Sequence, residues 1–430
     1  MASQLRRIPP GPAEKYAPDR NLLVWLGEQF ARYGDIFRAS IHGTEVYAVN
    51  APEFVDHVLL KNWQNYPKGQ AIKRIALLLG NGLMVSKGDF WIRQRRMIQP
   101  AFHRSGLDAL MGVVATANAR LREKWMGAAT SGATVNVTRD ISLAMLDVIL
   151  MSIFGDDYDE VAPTFRVVSE ATERNLEFAV LFTSLGKSII SIAEKRRSAG
   201  RTAGDLLGAL MEARDRDTGL AMSDNQLAKE IMTLIVAGHE TTASTLNWTW
   251  YLLAKHPDAD EKLAAELAAW QDGDPASTED LKKFTYVRNI IEEALRLYPP
   301  GWLMTRRAIR DDEIAGYFVP AGTEIYISPY YIQRHPALWS APEAFDPERF
   351  GAERAEAHRS LAMLPFSVGP RNCVGEHLAR MEMQMHLIMV AKQLRLEYAE
   401  TQPPQLAAGV NLLSGRDFLM TPHFRTAAPL

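Results

Sequence analysis

The most informative stretch of the sequence is Phe366-Ser-Val-Gly369-Pro-Arg371-Asn-Cys373-Val-Gly375. It contains the only cysteine of the chain and predicts a loop that is followed at once by a helix. Glycine on each side of the cysteine removes Cβ bulk and permits tight turns, so a large flat ligand could approach the backbone. Amides at the helix start, if aimed at the sulfur, would favour the thiolate form. The stretch therefore indicates a thiolate that is placed to bind a ligand.

An arbitrary lone cysteine is more often a small buried hydrophobe than a ligand. Here five fixed positions, each with odds of about one in twenty, predict on the order of 10⁻⁴ chance matches in such a chain. A thiolate is also an axial ligand that haem iron accepts. The stretch resembles the signature loop of the cytochrome P450 family, the haem-thiolate monooxygenases. This resemblance implies haem b as the cofactor, with Cys373 as the proximal metal ligand.

The resemblance also implies cofactor-binding roles for other residues. Phe366 would pack beside the sulfur, Arg371 would pair with a haem propionate, and Gly375 belongs to the same loop. Arg306 resembles the family's propionate-binding arginine, and Arg307 could take that role after a slip of one residue.

Another segment, Trp91-Ile-Arg-Gln-Arg95, resembles the Trp-x-x-x-Arg motif of the helix that flanks haem in this family. Trp91 and Arg95 are therefore expected to bind the cofactor, and the planar guanidinium of Arg95 suits a propionate carboxylate. Without the other motifs, a basic amphipathic helix with an aromatic anchor would explain the segment equally well.

A buried ion cluster is implied by two further motifs. Glu293-Ala-Leu-Arg296 matches the family's Glu-x-x-Arg motif, and its spacing places both side chains on one helix face. Glu194 and Arg197 have the same spacing, but only the first pair lies in an apolar helix and precedes a Pro-Glu-Arg-Phe element that contains Arg349. Glu293, Arg296 and Arg349 are expected to form a structural triad.

The longest predicted helix begins after Ser223, forms a capping box with Gln226, and ends at His256-Pro257. At about 1.5 Å per residue it would be roughly 45 Å long. Within it, Ala237-Gly-His-Glu240-Thr241 resembles the family segment above the iron.

In that segment Ala237 and Gly238 are expected to line the cofactor, and Glu240 and Thr241 are the catalytic candidates. A threonine that bonds the carbonyl one turn earlier loosens the helix, and the adjacent acid is a proton source. A packing glycine beside an internally bonded threonine is the structural alternative. The family motif has no fixed residue at His239, which is therefore expected to be neither ligand nor base.

The remaining sequence predicts a mainly helical chain with small β-sheets, the cytochrome P450 fold. Residues 35–49 predict a β-hairpin, and residues 313–327 predict short strands. A helix is predicted from about Asp280 to Pro299, and a last helix from Gly375 to about Leu396. The absence of repeats or linkers predicts one haem domain over residues 1–430, with an irregular segment at 1–20. Haem is expected between the longest helix and the helix after the cysteine loop.

Composition excludes several classes of protein. One cysteine among 430 residues excludes a disulfide framework and a four-thiolate metal site. A net charge of −3 argues against a nucleic-acid binder. No apolar run is long enough to span a bilayer, and residues 1–12 lack a signal-peptide core, so the cytoplasm is the expected location.

These features predict a monooxygenase that inserts one oxygen atom from O₂ into an apolar or amphipathic small molecule, by hydroxylation, epoxidation or oxidative coupling. The expected substrate-lining residues are Leu234, Ala237, Trp302, Leu303, Met304 and Leu412. A peroxide-using or rearranging haem-thiolate enzyme and a non-catalytic haem sensor share the fold, but the former usually lacks the acid–threonine pair and the latter has no need of it. A helical scaffold without haem is a further alternative.

Electrons are expected to come from NAD(P)H through a ferredoxin or flavodoxin with its reductase, since about 55 residues follow Cys373 and no reductase is fused. A docking patch is expected on the basic residues Arg93, Arg96, Arg104 and Arg380. A solvated face of charges is an equally good interpretation of these residues.

Overall fold

Helices dominate the computed structural model of the chain, which describes residues 7–103, 106–170, 176–201, 204–352, 354 and 361–425. The helices are α1 Leu22–Tyr33, α2 Pro52–Val55, α3 Ile72–Leu79, α4 Gly88–Ile98, α5 Asp108–Ser131, α6 Val137–Phe154, α7 Tyr158–Glu170, α8 Leu176–Ser198, α9 Leu206–Glu212, α10 Asp224–Lys255, α11 Pro257–Ala269, α12 Thr278–Leu281, α13 Thr285–Leu297, α14 Pro329–Ile332 and α15 Glu376–Ala391.

The strands are short and form small sheets. They are β1 Ile36–Ile41, β2 Thr44–Val49, β3 Val135–Asn136, β4 Met304–Arg307, β5 Asp312–Ile314, β6 Tyr317–Val319, β7 Glu324–Ile327, β8 Leu394–Glu397, β9 Leu406–Ala408, β10 Leu412–Ser414 and β11 Leu419–Phe424. One sheet has the order β1-β2-β7-β4 and another β3-β11-β8, while β5 pairs with β6 and β9 with β10. The predicted mainly helical class is thus confirmed.

The described residues group into two compact units. The first is drawn from Met1–Ile72, Asn289–Cys373 and Pro404–Gly415, and the second from Lys73–Arg288, Val374–Pro403 and Arg416–Leu430. No helix or strand lies within residues 7–21. One haem domain over the whole chain stays a prediction.

In the first unit, the predicted N-terminal hairpin is confirmed. Strands β1 and β2 are antiparallel and pair Ile41 with Thr44. The two residues between them, His42 and Gly43, have φ of 48° and 74°, as a turn that matches the strand twist requires. β2 runs parallel to β7, and the faces of this sheet carry buried aliphatic and aromatic residues, among them Val49 and Ile327.

In the second unit, the predicted long helix is confirmed as α10, which has 32 residues and packs against α6. Its N-cap is Ser223, whose hydroxyl accepts a hydrogen bond from the Gln226 amide at 3.3 Å. The reciprocal half of the capping box is not formed, because the Gln226 side chain donates to the Asn81 carbonyl and to Glu230 instead. None of the helices in the described part of the chain is long and apolar enough to cross a membrane.

Two predicted helix bounds are wrong. The helix expected from about Asp280 begins at Thr285, and a separate short helix, α12, carries its own capping box of Ser277 and Asp280. The last helix ends at Ala391 rather than near Leu396, because Leu394–Glu397 alternates buried and exposed side chains and pairs with β11 as strand β8.

Candidate active site

The cysteine loop is a tight turn held by its own backbone. The Cys373 amide donates to the Phe366 carbonyl at 2.8 Å, while Ser367 and Gly369 have φ of 61° and 77°. A Cβ atom at Gly369 would lie 2.2 Å from the carbonyl oxygen of Leu59. Gly369 is therefore required by the conformation and packing of the loop, before any ligand is considered.

The surface of this loop is open. Cys373 is exposed, and Phe366 and Arg371 are only half-buried. Gly375 differs from Gly369, because a Cβ atom built on it meets no other atom within 4 Å. The thiol and the glycine after it thus leave room for the flat ligand that the sequence predicts.

Three cationic side chains lie close together near the cysteine. An isolated β-bridge pairs Lys68 with Arg306. The third cation, Arg371, belongs to the cysteine loop itself. Burial, together with the charges of Arg306 and Arg371, lowers the pKa of Lys68 to about 7, and Cys373 opposes them. Burial and the charge of Arg371 lower the pKa of Arg306 to about 10. Burial also lowers the pKa of Arg371 to about 10.

This cluster fits a ligand with two carboxylates and a metal that accepts sulfur. Positive charges that repel one another are stabilised when an anion binds between them. The two propionates of haem supply two negative charges. Of the two candidate arginines in β4, Arg306 belongs to the cluster, whereas Arg307 lies 3.6 Å from Glu324. The residues of the first unit therefore fit haem. Lys68 was missed by the sequence analysis, since nothing local marks it.

The structure forms the predicted triad, and all three members are buried. Arg296 Nε and Nη2 donate to the two Glu293 carboxylate oxygens at 2.6 and 2.8 Å. Arg349 Nε donates to Glu293 Oε1 at 3.2 Å. Backbone groups complete the cluster: the Asp346 amide donates to Glu293 at 2.9 Å, and Arg296 Nη1 donates to the Pro342 carbonyl at 2.6 Å.

Gln333, which the sequence analysis missed, joins this triad to the cysteine loop. Its side-chain nitrogen donates to the carbonyls of Leu295 and Arg296 at 3.0 and 2.9 Å. Its side-chain oxygen accepts the amide of Leu364 at 2.7 Å. The Leu364 carbonyl in turn accepts the amide of Ser367 at 3.0 Å. Gln333 therefore links the end of α13 to the entry of the loop by three side-chain hydrogen bonds, two to the helix and one to Leu364.

In the second unit, α10 changes character in the segment that the sequence singled out. Residues 236–241 are half-buried, while Leu234 and the turns on both sides are buried. Thr241 Oγ1 donates to the Ala237 carbonyl at 2.7 Å, which is the predicted bond to the preceding turn. A Cβ atom on Gly238 would lie 3.3 Å from Ile149 Cδ1, so this glycine also has a packing reason. The catalytic roles of Glu240 and Thr241 stay predictions.

A buried polar group beside this segment was also missed. Thr242 Oγ1 donates to Glu382 at 3.3 Å, and burial raises the pKa of that carboxyl group to about 8. One turn further along α15, His386 Nε2 accepts a hydrogen bond from the Trp250 indole at 2.9 Å. Its Nδ1 lies 2.7 Å from the Asn118 side-chain oxygen and so carries the proton. Burial lowers the pKa of His386 to about 3, which keeps the ring neutral.

Helix α4 carries the other predicted cofactor residues. Trp91 is buried, and Arg95, one turn later on the same face, is half-buried. Arg95 Nε donates to the Gln99 side chain at 3.2 Å. Their contact with haem stays a prediction.

The expected substrate-lining residues of the first unit differ in exposure. Trp302 and Leu412 are buried in a hydrophobic core, and the Trp302 indole donates to the Gly409 carbonyl at 3.0 Å. Leu303 and Met304 are half-buried and retain surface for a ligand. The structure thus gives Trp302 a packing role, and substrate contact at these positions stays a prediction.

Two members of the expected docking patch are already paired. Arg96 lies 2.9 Å from Asp217, and Arg380 lies 3.3 Å from Glu376. Arg104 lies outside the described residues. These pairs reduce the net positive charge that a partner protein would meet.

Comparison with known proteins points to one family. The family model described as cytochrome P450 matches residues 12–187 and 158–417. Cyclooctat-9-en-7-ol 5-monooxygenase of Streptomyces melanosporofaciens is 32% identical over 85% of this chain and 83% of its own length. Pentalenene oxygenase of Streptomyces avermitilis is 28% identical over 87% of this chain and 88% of its own length. The crystal structure of the cytochrome P450DA heme domain is 25% identical, with a TM-score of 0.87 over 98% of this chain and 99% of that one.

Proposed function

Because the chain belongs to the cytochrome P450 monooxygenase family, we propose that it inserts one atom of dioxygen into a cyclic terpenoid. The observation that carries the proposal is the cluster of Lys68, Arg306 and Arg371 near Cys373, which fits haem. Haem, once bound through Cys373, supplies dioxygen activation, and a thiolate ligand favours O–O cleavage.

The protein's contribution to cofactor binding follows from its charges. Arg306 and Arg371 would hold the propionates together with Lys68, and the cluster would gain from losing its like-charge repulsion. Trp91 and Arg95 on α4 are proposed to bind the cofactor because of their sequence motif. The triad of Glu293, Arg296 and Arg349 is proposed to act only by holding the backbone of residues 340–346.

Proton delivery is assigned to Glu240 and Thr241. The Thr241 hydroxyl hydrogen is engaged by the Ala237 carbonyl at 2.7 Å, so its oxygen lone pairs are left to accept a hydrogen bond. Glu240, next to it in the half-buried segment, is proposed to exchange protons with water and pass them toward Thr241 Oγ1. Two groups with separate tasks predict separable mutant effects.

The substrate class rests on the relatives. Two bacterial relatives are named for oxygenation of cyclooctat-9-en-7-ol and of pentalenene, and both compounds are polycyclic terpenoids. Half-buried apolar residues, Leu303 and Met304 in the first unit and Ala237 in the second, each suit contact with an apolar ligand. Hydroxylation of a ring carbon is the reaction that we favour.

Electrons are proposed to come from NAD(P)H through a separate ferredoxin or flavodoxin and its reductase, in the cytoplasm. Arg93 is exposed on α4 and stacks over Phe90 at 5.4 Å, which leaves its charge at the surface. A reversed charge at Arg93 should slow reduction by an acidic partner, mainly at low ionic strength.

The decisive experiment is turnover of a panel of cyclic sesquiterpenes and diterpenes under ¹⁸O₂, with NADPH and a surrogate ferredoxin and reductase. One ¹⁸O atom per product molecule is expected. Product that appears only with added peroxide would indicate the peroxide-using alternative. Ligand binding without any turnover would indicate the sensor.

Thr241→Ala tests the proton relay. Substrate affinity should stay within about twofold of the wild type, while product per NADPH falls severalfold and hydrogen peroxide accumulates. Thr249→Ala is the matched control, because Thr249 makes the same type of bond, to the Thr245 carbonyl at 2.8 Å, outside the segment. Equal coupling in both variants would contradict the assignment.

A further inference from the structure

Residues 80–83, the first half of the loop that connects α3 to α4, lie directly against α10. A Cβ atom on Gly82 would be 2.1 Å from Thr233 Oγ1 and 3.0 Å from the Lys229 carbonyl. At Gly80, which has φ of 61°, a Cβ atom would be 3.1 Å from Lys229 Cε. The loop backbone therefore packs on the Thr233 and Lys229 side chains and on the Lys229 carbonyl, with no room for a Cβ atom at Gly82.

Glu230 fixes this contact by polar bonds. The Leu83 amide donates to Glu230 Oε2 at 2.7 Å, and the Gln226 side chain donates to Glu230 Oε1 at 2.6 Å. The same Gln226 nitrogen donates to the Asn81 carbonyl at 3.2 Å. Both oxygens of the carboxylate are therefore used, one directly on the loop and one through Gln226.

This clamp buries an ionisable group, which is costly. Glu230 is 0% exposed, and its burial raises the pKa of the carboxyl group to about 7. A residue that served only to fill space there could be apolar, so the acid indicates that the loop needs a hydrogen-bond acceptor at this point. The carboxylate supplies that acceptor.

The clamp also adjoins the segment of α10 assigned to catalysis. Residues three or four positions apart share a helix face, so Gln226, Glu230 and Thr233 form a stripe that continues to Ala237. Ala237 begins the turn whose carbonyl engages Thr241. The loop is therefore fixed one helical turn away from the half-buried segment.

We infer that Glu230 is a positioning residue that holds the Asn81–Leu83 backbone against α10 and thereby fixes one wall of the substrate space beside Ala237. The hydrogen-bonded clamp stands on the contacts alone. Its effect on substrate rests on the proposed function. The two parts are therefore tested by separate measurements.

Hydrogen–deuterium exchange of the full-length holoprotein tests the clamp. Glu230→Met keeps the side-chain length but removes both acceptors, so the amides of residues 82–84 should exchange about tenfold faster. Glu230→Gln keeps one oxygen for the Leu83 amide and should stay within about threefold of the wild type. Glu382→Met is the control, because it removes another buried acid that does not touch the loop. Unchanged exchange in Glu230→Met, or equal acceleration in the control, would overturn the clamp.

Two iron ligands of different size test the effect on the substrate space. Imidazole and 4-phenylimidazole are titrated by the spectral shift of the holoprotein. Glu230→Met should raise the Kd of 4-phenylimidazole about fivefold or more and leave that of imidazole within twofold, and Glu230→Gln should restore most of the affinity. An unchanged or lower Kd for 4-phenylimidazole would overturn the positioning role. If imidazole produces no shift even in the wild type, the proposed haem function fails, and the exchange result still decides the clamp.

Discussion

Two charged clusters in the first unit differ in one respect that separates structure from function. Around Glu293, two arginines meet one carboxylate, and the remaining donors are used by backbone carbonyls. Around Arg306, the neighbouring charges are Lys68 and Arg371, which have the same sign. The first cluster holds a carboxylate and uses its hydrogen-bond donors within the protein, whereas we propose that an anion completes the second.

This difference gives the two arginine-containing clusters different roles, one in stability and one in binding. A saturated ion cluster stabilises the fold, and removal of one member leaves a buried charge without a partner. A cluster of like charges stores repulsion that a bound dianion relieves, so removal of one member weakens binding more than folding. Each cluster therefore predicts a different mutant phenotype.

The largest effect is expected for Glu293→Gln. It leaves two buried guanidinium groups without their carboxylate and should lower the free energy of unfolding by about 3–5 kcal/mol. Equilibrium urea unfolding measures this. Glu343→Gln is the control, because Glu343 pairs with Arg334 at 3.1 Å but its side chain is 73% exposed, and it should cost at most about 1 kcal/mol. Equal losses in the two variants would remove the distinction between buried and surface pairs.

A smaller loss is expected for Gln333→Leu, which leaves the Leu364 amide and two helix carbonyls without partners and should cost about 1–3 kcal/mol. The reaction of a thiol reagent with Cys373, the single thiol, should also accelerate in haem-free protein as the loop loosens. Gln29→Leu is the control, since the Gln29 side-chain oxygen accepts no hydrogen bond from the described residues. If the thiol reacts at the wild-type rate in Gln333→Leu, this residue does not hold the loop.

The smallest effect on stability, and a selective one on binding, is expected for Arg306→Gln. Unfolding of the haem-free protein should change by less than about 1 kcal/mol, because the substitution relieves repulsion as it removes contacts. Loss of haem to excess apomyoglobin should become about tenfold faster. Arg307→Gln, which removes the pair with Glu324, should retain haem like the wild type. The same rate of haem loss in both variants would show that Arg306 has no special role in haem binding compared with Arg307.

The sequence predicts those features whose cause is local. The hairpin turn at His42-Gly43, the cap at Ser223 and the Thr241 bond to Ala237 each depend on residues a few positions apart. The spacing of Glu293 and Arg296 is local too, but the family resemblance was needed to select this pair and to add Arg349.

Features that depend on tertiary contacts were missed. Lys68 joins the cation cluster only because a β-bridge pairs it with Arg306, and Gln333 acquires its role from the distant Leu364 amide. The pair Glu382 and His386 offered a signal, since these are the ionisable residues of 381–391 and lie four positions apart on α15. The end of α15 was misplaced because the alternation of Leu394–Glu397 is too short to outweigh the preceding helix period.

The reduced, carbon monoxide-bound spectrum of Cys373→Ser against the wild type tests the central claim most directly, because Cys373 is the only thiol in the chain. Burial of the haem and its contacts with Lys68, Arg306 and Arg371 should retain it in both proteins. The wild type should absorb at the long wavelength typical of thiolate ligation, and Cys373→Ser should lose that band while it keeps a Soret band. Identical spectra in the two proteins would contradict the assignment of Cys373 as the iron ligand.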